Sequence, residues 1–156
     1  MKIKIAGWMV FISLCVIGCN NSTQKKTSGN NNIKSEADSL MADVMDGHDV
    51  GMAKYGKLNA MKKKVQEVLD SIAKLPAKGQ QAAAPYKAKL DAAAKDLNNA
   101  LIAMDKWMEE FNMDSAVNNM EQRIKYLTEE KWKVGNVKKG ILTSLQKADS
   151  ILKARF

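Results

Sequence analysis

The chain has 156 residues, 46% of them apolar and 27% charged, with a formal charge of +8. That length suits one domain and is short for two. A single histidine, two cysteines and no phosphate-cradling glycine loop leave no set of side chains for acid–base or nucleophilic catalysis, so the protein is expected not to be an enzyme.

Residues 1 to 19 read MKIKIAGWMVFISLCVIGC, with Lys2 and Lys4 ahead of an uncharged apolar run of 14 residues from Ile5 to Gly18. A helix that crosses a bilayer needs about 20, and a basic start before a short apolar core is the pattern of a secretory signal. The run ends in Val16-Ile17-Gly18-Cys19, which resembles a bacterial lipobox. Residues 1–18 are therefore expected to be a cleaved signal peptide and Cys19 to be lipidated, first at its thiol and then at its new amine. Two acyl chains or more are what stable anchoring requires. Cys15 leaves with the signal and Cys19 is acylated, which removes both a disulfide and thiolate metal ligands. Cleavage also removes Lys2 and Lys4, leaving 23 basic against 17 acidic residues, a balance of +6. Inside a cell that surplus would suggest nucleic acid. Behind an export signal the partners are instead a membrane, held through the lipid anchor, and anionic head groups, envelope polymers or acidic envelope proteins.

From Asn20 to Lys34 the sequence NNSTQKKTSGNNNIK is polar, with one isolated isoleucine and no period. Residues 19–35 thus read as the lipidated cysteine and a flexible tether whose ends lie about 20 Å apart. No acidic run of the kind that marks surface display follows Cys19, which favours a periplasm-facing place in the cell envelope.

Residues 36–156 are expected to be all-α, a long antiparallel three-helix bundle or coiled coil with helices at about 36–75, 82–113 and 115–154. Ser35 and the acidic residues after it suit a helix start. The first apolar stripe runs Met41, Val44 or Met45, His48, Met52, Tyr55, Leu58, Met61, Val65, Leu69, Ile72 and Leu75, at steps near three and four, until Pro76 and Gly79 stop it. A second runs Leu90, Ala94, Leu97, Leu101, Met104, Met108 and Phe111, with Pro85 expected in the first turn. A third runs from Val117 through Met120, Ile124, Leu127, Val134, Ile141, Leu145 and Ala148 to Leu152, interrupted by Lys131 and Lys138. An unbroken helix of this length reaches about 60 Å.

Short connections make consecutive helices antiparallel, so residues pair by reflection through the turns. A first turn centred near residue 78 sets His48 level with about residue 108. A second centred near 114 sets Met108 level with Met120. Seven of the eight methionines after Cys19 then gather at the histidine end, all except Met61. Thioethers and one imidazole make a soft donor set suited to Cu(I) or Ag(I), with His48 as nitrogen donor and two of Met45, Met52, Met104 and Met108 as sulfur donors. Trp107 flanks the second stripe, where its ring could lie over a bound cation. Gly47, Gly51 and Gly56 each cost about 1 kcal/mol in a helix interior, which points to close approach, a kink or room for a ligand. Glu36, Asp38, Asp43, Asp46 and Asp49 near the histidine, against Lys54, Lys57, Lys62, Lys63, Lys64, Lys74 and Lys78 beyond it, make the bundle acidic at this end and basic at the other. The ordinary alternative is a core in which methionine fills gaps and His48 is a satisfied polar group. A b-type haem held by His48 and a methionine of the second helix is a further alternative.

The blocks MADVMDGHDVGMAKYGKL, ALIAMDKWMEEFNMDS and IKYLTEEKWKVGNVKKGILTSLQKADSIL resemble helical lipoproteins of Bacteroidota of uncharacterised activity, some of them labelled viral A-type inclusion proteins. The resemblance covers most of residues 40–152 and rests on Met45-x-x-His48-Asp49, on Met52 and on Trp107-Met108. It implies a shared fold and a shared histidine site, and it carries no activity with it. The chain departs from the pattern at Val50-Gly51, where an acidic residue and a valine are usual. Three functions therefore stand as expectations: a soft-metal binding lipoprotein, a structural or partner-binding envelope lipoprotein without metal, and a haem carrier. The alanine-rich stretch 86–101 leaves shallow packing that a second copy could fill.

Overall fold

The structure, a computed structural model, describes residues 28–154, with side chains from residue 32. The expected signal peptide, Cys19 and the tether as far as residue 27 lie outside the described residues. Three helices make up nearly all the rest: α1 (Ser28–Ala73), α2 (Ala77–Glu110) and α3 (Met120–Lys153). Each packs against the other two and no strand occurs among the described residues, so the fold is the expected all-α three-helix bundle. None of these helices is long and apolar enough to cross a membrane.

The stripes close as the heptad-like spacing requires. Val44, Leu58 and Val65 of α1, Leu90, Leu97 and Met104 of α2, and Leu127, Val134 and Ile141 of α3 are all less than 2% exposed. Burying side chains of this size contributes about 1.5–3 kcal/mol each. Lys131 and Lys138, which interrupt the third stripe, sit at its edge and reach across to α1: Lys131 Nζ lies 2.7 Å from Asp43 Oδ2 and Lys138 Nζ 3.6 Å from Asp46 Oδ2.

The element boundaries differ from the expected ones at both ends of α1 and of α2, which stops at Glu110 and not 113, and at the start of α3. Residues 28–35, read as tether, continue α1; once Ala37 and Val44 are buried, each added residue gains a backbone hydrogen bond without a new nucleus. Ser35 is accordingly an interior residue whose carbonyl accepts from Ser39 Oγ at 2.9 Å. Leu75 leaves the stripe and is 40% exposed in the turn. That turn is short because Pro76 is the N-cap of α2 and its carbonyl accepts from Gln80 N at 3.0 Å. The Gln80 side chain donates to the carbonyls of Ala73 and Leu75, at 3.0 and 2.8 Å, satisfying two acceptors left over by the end of α1. Pro85 consequently lies well inside α2 instead of in its first turn. Gln81 and Pro85 are both exposed, so water can satisfy the carbonyl that Pro85 cannot bond. The third helix starts at Met120, and Val117 remains in the connecting loop, 43% exposed.

The three glycines of α1 serve different ends. A Cβ on Gly47 would sit 2.8 Å from Val134 Cγ1, and one on Gly51 would collide with the terminal methyl of Met104 and lie 3.3 Å from Ile141 Cδ1. Gly47 lets α3 approach the α1 backbone and Gly51 lets both α2 and α3 do so, so the space they vacate is filled by protein. Gly56 faces nothing within 4 Å. Three substitutions in one helix are therefore expected to differ. Gly56→Ala should stabilise by about 0.5–1 kcal/mol through helix propensity. Gly51→Ala should be close to neutral, because the flexible end of Met104 can move. Gly47→Ala should destabilise by about 1–2 kcal/mol, because Val134 is stiff at its first torsion. Urea denaturation of the three variants checks the order.

Candidate binding site at the histidine end

The register across α1 and α2 is fixed by two contacts. The His48 and Trp107 ring centroids are 5.8 Å apart at an interplanar angle of 38°, and one turn along, the Met104 methyl fills the notch at Gly51. Both pairs reflect through the junction of Ala77 and Lys78, which agrees with the expected turn centre and with a partner for His48 near residue 108.

The partner is Trp107 and not Met108. From Leu101 and Met104 the buried line of α2 continues to Trp107, 5% exposed, while Met108 is 36% exposed. The indole wins this position because it has somewhere to put its N–H: Nε1 donates to Glu130 Oε2 of α3 at 2.9 Å. Glu130 is 3% exposed, and its other oxygen accepts from Lys133 Nζ at 2.7 Å. A buried carboxylate is tolerable only when its oxygens are met in this way. Reciprocally, the bond to Glu130 holds the Lys133 ammonium above the usual lysine range.

From Trp107 an aromatic row extends towards the second turn. Phe111 stacks on it at 4.9 Å and 18°, and Tyr126 of α3 follows Phe111 at 6.2 Å and 11°. The Tyr126 hydroxyl accepts from Asn112 N at 2.7 Å, tying the row to the loop. Arg123, the sole arginine among the described residues, donates from one guanidinium nitrogen to the carbonyls of Met113 and Ser115 at 3.1 and 2.9 Å. Asn112 accepts from Asp114 N, Asn119 caps α3 by accepting from Gln122 N, and Ala116 takes a φ of 56°, a left-handed turn conformation that ordinary side chains seldom adopt. The loop over this end is thus built from specific bonds. Sequence reasoning missed Glu130 and Arg123; the isolated arginine in a lysine-rich chain was the available signal, since a rigid multi-donor fork suits adjacent carbonyls better than an ammonium does.

His48 is half-buried, with 23% of its side chain exposed, and its Nδ1 lies 2.9 Å from Asp49 Oδ1. A carboxylate on one ring nitrogen orients the imidazole and leaves Nε2 as the remaining donor atom. Met45 and Met52, three residues before and four after, share the flank of α1 that carries His48, and both are half-buried. Met104, by contrast, is completely buried in the core, and Met108 lies on the outside of α2. Trp107 already has His48 and Phe111 as ring neighbours, so a cation over its face would have to displace one of them. Among the described residues no three His, Cys, Asp or Glu side chains are placed to hold a metal ion. A metal here would rest on His48 together with methionine sulfurs.

The acidic character of this end is partly consumed by pairing. Asp43 and Asp46 meet Lys131 and Lys138, and Asp49 meets His48. At the opposite end Asp149 bonds Lys153 at 2.7 Å, and that bond, with Lys57 and Lys64 nearby, holds its carboxyl below the usual range. No family model, curated protein or solved structure matches the chain.

Beyond Gly51, Tyr55 clasps α2 by donating to both Asp105 oxygens, at 2.8 and 3.0 Å. The bond to Asp105 raises the Tyr55 pKa above the ordinary tyrosine value, with desolvation and the carboxylate charge acting in the same direction. A folded-state pKa above the unfolded one means the clasp contributes fully below the unfolded value and is lost as pH rises through the folded value. Asp105→Asn is expected to lower the alkaline titration of Tyr55. Tyrosinate absorbance of Asp105→Asn, with Tyr55→Phe identifying the transition, checks this.

Proposed function

We propose that the chain is a lipid-anchored, periplasm-facing lipoprotein of the bacterial cell envelope that acts by binding and not by catalysis, and that its histidine end takes a soft monovalent metal ion, Cu(I) or Ag(I). Anchoring is supported by the basic start, the 14-residue apolar core and the terminal Cys19 of residues 1–19. The metal reading is carried by one observation: an imidazole held through Nδ1 by Asp49 stands on a half-buried helix flank between two methionines. Nε2 of His48 with the sulfurs of Met45 and Met52 is the donor set this favours, a narrower one than the four methionines considered from sequence. One nitrogen and two thioethers suit a soft ion of low coordination number and give a hard divalent cation little.

A metal-free, partner-binding role is the second reading, favoured by the contact of His48 with Trp107, which also suits a packed core histidine. The notches at Gly47 and Gly51 are occupied by Val134, Met104 and Ile141, so they supply no space for a haem ring. An anaerobic Cu(I) competition titration against a chromophoric chelator, on residues 20–156, separates the first two readings. The expected result is one-to-one binding that His48→Ala abolishes, that Met52→Leu weakens at least tenfold, and that Met104→Leu leaves unchanged, with helicity retained throughout. Failure of the wild-type chain to compete overturns the metal reading and leaves the partner-binding one.

A further inference from the structure

The face formed jointly by α2 and α3 carries two shallow recesses and an exposed tryptophan. Towards the end of α3 it holds a recess of about 730 Å³ lined by Ala88, Lys89, Ala92, Thr143, Lys147 and Ile151. Next to this lies a second recess of about 470 Å³, lined by Ala100, Ala103, Gly140 and Ser144 among others. Towards the start of α3 the same outward stripe carries Trp132, 71% exposed, the most exposed of the large apolar side chains described. Trp132, Asn136, Lys139, Thr143, Gln146 and Ser150 follow one another at steps of four and three, so they share one side of the helix.

We infer that this face binds a second copy of the chain, antiparallel and two-fold symmetric, each Trp132 entering the recess around Ala88, Ala92 and Lys147 of the other copy. Three observations on the single chain fit that arrangement. The first is spacing. Trp132 and Lys147, at the middle of the recess, are fifteen residues apart on α3, roughly 22 Å, and their midpoint falls next to Gly140. A two-fold axis there exchanges knob and hole, which is the self-complementarity that an isologous interface requires.

The second is Gly140 itself. Like Gly56 and Gly135 it has nothing of its own chain within 4 Å of where its Cβ would be, so no internal contact accounts for a glycine that costs about 1 kcal/mol inside a helix, and of the three it is the one that lines a recess of this face. Close approach of another backbone at the axis accounts for it. The third is charge. On this face Glu110 and Glu129 lie towards the Trp132 end, beside Lys106 and Lys133 respectively, and Lys89 and Lys147 lie towards the recess. Asp96 partly neutralises the latter through its 2.7 Å bond to Lys147. An antiparallel pair sets Glu110 and Glu129 of each copy towards Lys89 and Lys147 of the other, an attraction that salt weakens. The face is roughly 50 Å long and about two helix widths, some 18 Å, across. It therefore offers about 900 Å² per copy, against the roughly 800 Å² of a standard specific interface.

Residues 20–156 contain no cysteine, which makes the test direct. In sedimentation velocity the protein should dimerise reversibly with rising concentration. Trp132→Lys should weaken the dimer on the order of 30-fold, as loss of a buried aromatic anchor does, and Gly140→Leu should also weaken it. Trp132 is 71% exposed and nothing lies within 4 Å of a Cβ placed on Gly140, so helicity should hold in both variants and neither should destabilise the monomer, Gly140→Leu raising its thermal midpoint slightly through helix propensity. Gly140→Cys should give a disulfide-linked dimer on mild oxidation, and Gly56→Cys, equally open but on α1, should not. A monomer at every concentration overturns the inference, and so does a dimer that Trp132→Lys and Gly140→Leu both leave unchanged.

Discussion

The bond from Trp107 to Glu130 organises the histidine end of the bundle. A buried carboxylate without partners costs several kcal/mol, so Glu130 can stay 3% exposed only while the indole N–H and the Lys133 ammonium are in place. The indole, for its part, needs an acceptor to be buried. This mutual requirement turns α2 so that Trp107 faces inward and Met108 outward, and it fixes the relative rotation of α2 and α3. The rest of the end follows: Phe111 stacks on Trp107, Tyr126 on Phe111, and the loop is bonded to Tyr126 and Arg123.

For function, the consequence is that His48 rests on a preset wall. Its ring meets the Trp107 ring, Asp49 takes Nδ1, and Met45 and Met52 share its half-buried flank, Met52 packed against the core. A soft metal ion would meet donors that are already ordered, which reduces the entropy lost on binding. The basic end and the α2–α3 face lie elsewhere on the molecule, so metal binding and self-association can be tested apart.

Much of this was legible in the sequence because heptad-like spacing fixes which side of a helix is buried, and Pro76 fixes where the chain turns. With those two facts the level of His48 on α2 came out within about one residue. What spacing could not decide was Trp107 against Met108, since adjacent residues on α2 both sit near the seam and the choice belongs to Glu130, 23 residues further on. A glutamate in a run of charged residues gives no sign of burial until its partner is known. The helical state of residues 28–35 was hidden for a different reason: Ser, Gly and Asn have weak helix propensity, and the helix there is carried by packing that begins at Ala37. The notches at Gly47 and Gly51 were visible as glycines, but only the third helix shows that Val134 and Ile141 fill them.

A double-mutant cycle on Trp107 and Glu130 tests most directly whether their bond holds this end together. Trp107→Phe leaves the carboxylate short of a partner, Glu130→Leu leaves the indole N–H unmet, and the double variant leaves neither group unsatisfied. Each single variant should then lose about 1–3 kcal/mol, and the double should be at least as stable as the worse single, a coupling of more than about 1 kcal/mol. Losses that simply add would contradict the account.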